Sequence, residues 1–199
     1  MSFNIYIAGV GGGGILTISK VIADSALEEG NDVTTLEFHG LAQRYGAISC
    51  QVKIGKKVYS PMILGGEADL IIGLEPMEAL RSVYYSSKGR TKVLTDTYKM
   101  PPMSLFLEKK KYPALEKILA RLRKNAKEVI PVESSRETER LTGEIMMNNT
   151  YLLGYACGKG LFPMKTKTVL KVLLGTIPKQ YIAANREVFL AAEKAAKKA

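Results

Sequence analysis

The sequence predicts an α/β fold: a three-layer, Rossmann-like sheet, mainly parallel with an antiparallel part, plus C-terminal helices. Three observations predict it. The short β-forming run Ile5-Tyr6-Ile7-Ala8 passes through Gly9-Val10-Gly11-Gly12-Gly13-Gly14 into Ile15, Ile18, Val21, Ile22, Ala26 and Leu27 at helical spacing, which is a strand, a tight turn and a helix in succession. Two buried-type strands, Ala68–Leu74 and Thr91–Thr95, are separated by a helical segment, as in a parallel sheet. Between these regions Ile48-Ser49-Cys50-Gln51-Val52-Lys53-Ile54 alternates with period two. That pattern suits a half-buried, antiparallel strand better than a central parallel one.

The elements follow in order. Gly30-Asn31 ends the first helix, and a strand is expected over Asp32–Phe38. A polar, glycine-bearing stretch from His39 to Gly46 precedes the alternating strand, which turns at Gly55-Lys56-Lys57. Glu75-Pro76 opens a helix to about Ser86, with proline in its first turn. Met100-Pro101-Pro102-Met103 reads as a loop, Pro113–Asn125 as an amphipathic helix and Lys127–Val132 as a short strand. From about Thr138 to Cys157 the apolar residues predict one long buried helix, stopped by Gly158-Lys159-Gly160. Two more helices are expected near 166–174 and 178–197, with the Ala/Lys-rich tail after Ala191 fraying. The sheet-forming part spans about 1–135 and the helical part about 136–199, with no internal repeat.

Composition narrows the function classes. A chain of 199 residues with 46% hydrophobic and 24% charged side chains suits one ordinary globular domain. No apolar run reaches bilayer length, and Met1-Ser2-Phe3-Asn4 lacks a basic leader, so neither a membrane span nor a signal peptide is expected. Cys50 and Cys157 are isolated, which points to a reducing, cytoplasmic setting. The net charge of +10 is uneven: −3 over residues 1–87, +7 over 88–140 and +6 over 141–199. Lys109-Lys110-Lys111 and Arg121, Arg123, Lys124 and Lys127 lack interleaved aromatics and share their helices with acids. They read as a solvated face or one docking an acidic partner, not as a nucleic-acid site.

Little self-contained chemistry is available. His39 is the single histidine, and there is no G-x-S-x-G elbow and no H-E-x-x-H helix. The pairs Glu28-Glu29 and Glu137/Glu139 fit solvated or capping roles. The glycine turn can cradle a phosphate at a helix N-terminus or simply pack a helix tightly on a sheet. Glu37, 28 residues after Gly9 near the end of the second strand, is placed where an acid could bind the ribose of NAD.

The segment His39-Gly40-Leu41-Ala42-Gln43-Arg44-Tyr45-Gly46 resembles the H-G-M-A-Q-R-G-G motif of γ-type subunits of 2-oxoacid:ferredoxin oxidoreductases. Gly9, Gly11, Gly12 and Gly14 resemble that family's G-x-G-G-x-G, in the same order and at similar spacing. Leu41 replaces the usual methionine, and Tyr45 the first glycine of the closing pair. A tyrosine adopts positive φ less cheaply than glycine. The small stand-alone subunits of indolepyruvate-type enzymes are the most similar branch. The resemblance implies one γ-type domain over residues 1–199, within a complex that oxidatively decarboxylates an aryl 2-oxoacid to an acyl-CoA and reduces ferredoxin. It implies thiamine diphosphate, magnesium and iron–sulfur clusters on a larger partner subunit, with ferredoxin an indirect partner. Two distant cysteines cannot hold a cluster. Asn148-Asn149 matches only the second half of the family's thiamine motif, and no G-D-G is present.

Gly9, Gly11, Gly12 and Gly14 are therefore the candidate ligand-binding residues, with coenzyme A a candidate ligand. His39, Gln43 and Arg44 are candidates either for chemistry or for ordering a loop at a subunit interface. A homodimer of the isolated subunit is an open expectation. The alternatives are a γ subunit for pyruvate or ketoisovalerate, and an autonomous nucleotide-binding protein.

Overall fold

A computed structural model describes residues 2–39, 46–101 and 111–199. Six strands form one mixed sheet in the order β2-β3-β1-β4-β5-β6. They are β1 Phe3–Val10, β2 Asp32–His39, β3 Ala47–Gly55, β4 Leu70–Gly73, β5 Lys92–Asp96 and β6 Glu128–Val132. β1, β4, β5 and β6 run parallel, while β3 is antiparallel to both of its neighbours, β1 and β2. The alternating strand is thus the reversed one, as its pattern predicts. Its register sets Ile5 opposite Val52 and Ile7 opposite Cys50, so these four side chains share one buried face.

The helices are α1 Ile15–Glu28, α2 Pro76–Arg81, α3 Leu115–Asn125, α4 Ser134–Thr142, α5 Asn148–Gly158, α6 Thr166–Thr176 and α7 Ile182–Lys198. A 3₁₀ turn over Ser82–Tyr85 extends α2. One sheet face carries α1 and α5, with α6 and α7 joining the same apolar core. The other carries α2 and α3 over a smaller core built around Tyr6, Ile71, Ala79, Val93 and Leu122. Helix α5 is buried on nearly every side, the place expected of a helix without a polar face. Its glycines admit the backbone of α7: a Cβ at Gly154 would lie 2.4 Å from the Phe189 carbonyl oxygen, and one at Gly158 2.6 Å from that of Glu193.

Three expectations are corrected. The long helix over Thr138–Cys157 is two helices, because Gly143 ends α4 in the left-handed region at φ 80° and residues 144–147 turn the chain before α5. Gly158 closes α5 against α7, and the turn that follows is made by Gly160 at φ 61°. The tail is regular helix to Lys198, with Ala192 and Ala196 buried in the core; small side chains at those positions let α7 approach α5. The final helix also begins later than expected, since Pro178 is extended and a 3₁₀ turn over Lys179–Tyr181 precedes α7.

Candidate functional site

The glycine turn lies at the C-terminal ends of the parallel strands, where β1 leads its connections to one side of the sheet and β4 continues it to the other. Open α/β sheets bind ligands at such a switch point. A cleft of about 300 Å³ opens there, lined by Val10, Gly11, Gly12, Gly13 and Leu74 from the strand ends and by Met100, Ile145, Met146 and Asn148 from the facing segments.

Each glycine has a distinct reason to be there. Gly9 lies within β1, and a Cβ would crowd Ile15 and Leu74 at 3.1 Å. Gly11 donates its N–H to the Gly46 carbonyl at 2.8 Å, and Gly13 closes the turn on the Val10 carbonyl at 3.0 Å. Gly12 is exposed with φ +92°, and a Cβ there would meet nothing within 4 Å. Gly14 precedes α1 with φ +74°, and a Cβ would collide with the Asn149 amide. Packing thus accounts for Gly9 and Gly14, whereas Gly12 leaves open space beside the backbone. The first turn of α1 has no acidic side chain, so its unpaired N–H groups keep the positive end of the helix dipole. One wall of the cleft is glycine backbone, with the Gly11 and Gly13 N–H groups already bonded to the Gly46 and Val10 carbonyls, and the other is methionine and isoleucine side chains.

The second predicted motif meets the first through β3. Gly9 of β1 and His39 of β2 both pair with Ile48, and Gly46 receives the Gly11 N–H. Gly9 and His39, 30 apart in sequence, therefore lie at the same end of the sheet on either side of Ile48. The backbone of His39 ends β2, while Gln43 and Arg44 lie outside the described residues. Glu37 does not reach the position an NAD site requires: β3 intervenes between β2 and β1, setting it about 10 Å from the strand that bears the glycine turn, at two strand spacings.

Behind the cleft, buried Asp96 closes β5. It accepts the Ser135 N–H at 3.2 Å, the Ser135 hydroxyl, the Asn148 amide at 3.2 Å and the Tyr98 N–H at 3.2 Å. Asp96 thereby ties the starts of α4 and α5 to the sheet and holds Asn148 in the cleft wall. On the opposite face, the Glu75 carboxylate caps α2 by accepting the Glu78 N–H at 2.9 Å and also accepts the Tyr112 hydroxyl. Burial raises Glu75 above the usual carboxylate range and pushes Glu78 up to about 7, with Arg81 opposing the shift and Glu75 adding to it.

Residues 4–195 match the pyruvate ferredoxin/flavodoxin oxidoreductase family. The chain belongs to that family. It is 33% identical over 189 residues to the indolepyruvate oxidoreductase subunit IorB of Methanothermobacter thermautotrophicus, covering 95% of each chain. The subunit of the same name from Archaeoglobus fulgidus is 38% identical over 185 residues, covering 93% of this chain and 90% of the relative. Among solved structures, a keto/oxoacid ferredoxin oxidoreductase γ subunit from Geobacter sulfurreducens shares the fold with a TM-score of 0.70, 18% identity and 99% coverage of both chains. All of this chain also superposes on 31% of a longer chain, the 2-oxoglutarate:ferredoxin oxidoreductase from Magnetococcus marinus, with a TM-score of 0.72 and 19% identity. The protein is thus an IorB-like small subunit of a 2-oxoacid:ferredoxin oxidoreductase, one chain of a multi-subunit oxidoreductase.

Among the described residues the donor set does not fit magnesium–thiamine diphosphate or an iron–sulfur cluster. Among the described residues no three His, Cys, Asp or Glu side chains gather to hold a metal. Both thiols are buried and held protonated, Cys50 pushed up to about 11 by burial and the Glu37 charge, and Cys157 to about 12 by burial and Glu193. Asn148 and Asn149 serve the local structure, the first bonded to Asp96 and Ser135 and the second packed on Gly14. No helix among the described residues is long and apolar enough to cross a membrane.

Reading the motifs alone missed Asp96, the methionine wall of the cleft and the buried Glu75–Glu78 pair. Asp96 had a signal, a carboxylate placed directly after the apolar stretch Val93-Leu94-Thr95. The methionines had none, because Met100 and Met146 converge on the glycine turn from loops 46 residues apart.

Proposed function

We propose that this chain serves an indolepyruvate-type complex, in which an aryl 2-oxoacid is oxidatively decarboxylated to its acyl-CoA while ferredoxin is reduced. The observation that carries the reading is the identity of 32–38% to four IorB subunits over nearly the full chain. Residues 1–199 act as one γ-type domain in the cytoplasm. Thiamine diphosphate, magnesium and iron–sulfur clusters reside on the larger subunit, which delivers electrons to ferredoxin.

In this reading the cleft at Gly9, Gly11, Gly12 and Gly14 receives a phosphate-bearing ligand, coenzyme A. The Gly12 backbone and the positive end of α1 attract the phosphates, and Leu74, Met100 and Met146 pack against the apolar arm. His39, Gln43 and Arg44 serve to order a loop against the larger subunit, and Arg44 supplies a permanent charge for a carboxylate or phosphate.

The test is turnover of the assembled complex with indolepyruvate, pyruvate and ketoisovalerate, followed by dye reduction and acyl-CoA formation. A kcat/KM at least tenfold higher for indolepyruvate is expected; a preference for pyruvate or ketoisovalerate overturns the aryl assignment. Gly12→Val tests the cleft. A Cβ at this position meets no atom within 4 Å, so the main intrinsic cost is the strain of a non-glycine residue at φ +92°, about 1–3 kcal/mol. A KM for coenzyme A raised at least tenfold, with kcat retained, is expected; an unchanged KM removes the cleft from coenzyme A binding.

A further inference from the structure

Charge on the helices of this chain is balanced in two ways, and among the described residues α3 uses neither. Helices α1, α2, α4 and α7 set an acid three or four places from a cation: Lys20 with Asp24, Arg81 with Glu78, Arg140 with Glu137 and Lys197 with Glu193. Helix α6 answers Lys171 with Glu28 of α1. In α3, Lys117, Arg121 and Lys124 recur at i, i+4 and i+7 along one exposed stripe, with Arg123 exposed beside them. Within the helix no acid stands three or four places from any of these four. Like charges at those spacings weaken a helix. Arg123 and Lys124 recover part of the cost at the negative end of the dipole, but Lys117 lies in the first turn, where the dipole disfavours a cation. The stripe is therefore kept at a cost to the helix that carries it.

The surroundings leave this positive field standing. From Lys111 to Glu128, six basic side chains face only Glu116 and Glu128 as acids. Glu128 is paired with Lys92, and the acids of neighbouring elements are matched as well: Glu78 with Arg81, and Asp69 with Arg90, which Glu67 also faces. No large apolar side chain is exposed on α3 or on the edge strand β6. That composition selects the kind of partner. A permanent subunit interface has a core depleted of charge, whereas brief electron-transfer encounters are small and steered by charge.

We propose that the α3 stripe is a docking face for ferredoxin, presented to it by the assembled complex. The proposal rests on the small-subunit reading and adds a direct contact between this chain and the electron carrier. The matching family is described by its ferredoxin or flavodoxin acceptor. In ferredoxin the redox centre is an iron–sulfur cluster caged in cysteine thiolates, with net negative charge in either oxidation state. Carboxylates around such a centre complete the complement to the stripe. The electron still leaves from the larger subunit; α3 attracts the carrier and orients it.

The experiment uses the assembled complex and the ferredoxin of the same cell, following ferredoxin reduction, reduction of a small dye and acyl-CoA formation side by side. Lys117→Glu/Arg121→Glu/Lys124→Glu should lower kcat/KM for ferredoxin at least tenfold at low salt, with the deficit shrinking as salt rises. Dye-coupled turnover, retention of the small subunit and the melting temperature of the isolated chain should stay at wild-type values. Lys117→Arg/Lys124→Arg keeps the charge and should behave as wild type. Arg186→Glu/Lys194→Glu/Lys198→Glu changes net charge equally on the exposed side of α7 and should leave ferredoxin reduction unchanged. An unaltered kcat/KM for the α3 variant in an intact complex overturns the face. An equal loss in the α7 variant overturns it too, by assigning the effect to overall charge. Loss of the small subunit from the α3 variant gives the stripe to the larger subunit, and loss of duplex-DNA binding with ferredoxin kinetics unchanged gives it to nucleic acid; each overturns the proposal. Failure of the wild-type chain to assemble with a larger subunit overturns the small-subunit reading and the face with it.

Discussion

The two faces of the sheet are built to different ends. On one, α1 and α5 lie on the strands with α6 and α7 completing the cover, so Ile5, Ile7, Leu153 and Phe189 have no contact with solvent. On the other, α2 and α3 give way to the β3–β4 connection, anchored through Ile63 to Gln51 and through Met62 to Lys53. The closed face is a core in which close packing sets the energy; the partly open face leaves Tyr59, Met62 and Leu64 exposed to water.

Substitutions should separate the faces by size of effect. Phe189→Ala, on the closed face, should remove about 3–5 kcal/mol of unfolding free energy, since the α5–α7 contact has no slack to fill the void. Denaturant unfolding checks it, and a loss below 1 kcal/mol would mean the two helices pack loosely. Asp96→Ala should remove about 2–3 kcal/mol by stranding the donors of Ser135 and Asn148, and should also disorder the cleft wall. Amide exchange in α4 and at the start of α5 reads that out, and unchanged protection there would show that Asp96 does not tie them.

Glu78 sharpens the comparison from the other side. Its carboxyl is pushed up to about 7 in the folded chain, so the unfolded chain releases the proton first as pH rises. The stability this group supports is full below about pH 4.5 and is lost as pH rises through about 7. Glu78→Gln should flatten that slope by on the order of 1–3 kcal/mol; an unchanged pH profile would place Glu78 in a solvated setting. The smallest effect is expected on the open face, where Tyr59→Ser should alter stability by no more than about 0.5 kcal/mol. A larger loss would make the β3–β4 connection part of this chain's own core.

The fold was legible to the degree that periodicity carries it. Alternation in Ile48–Ile54 announced a reversed strand, and Gly30 and Gly160, both at positive φ, marked turns. The long helix over Thr138–Cys157 failed because apolar content is continuous across Gly143, and only that residue's left-handed conformation breaks it. The tail after Ala191 failed for the converse reason: an alanine- and lysine-rich end looks unanchored, yet its alanines are the small residues that let α7 meet α5. Of the site, the glycine turn was legible as a motif, while the methionine wall and the Asp96 tie come from segments far apart in sequence.

By itself the sequence determined the strand–turn–helix opening, the reversed strand and the likeness to γ-type subunits. Each of these depends on residues close together in the chain. The tertiary structure decided that β3 lies between β1 and β2, that Gly46 binds Gly11 and that Glu37 stands away from the glycine turn. It also decided which face closes and which stays open. Those outcomes depend on strand order and helix docking, which arise from contacts between distant segments that local periodicity does not encode.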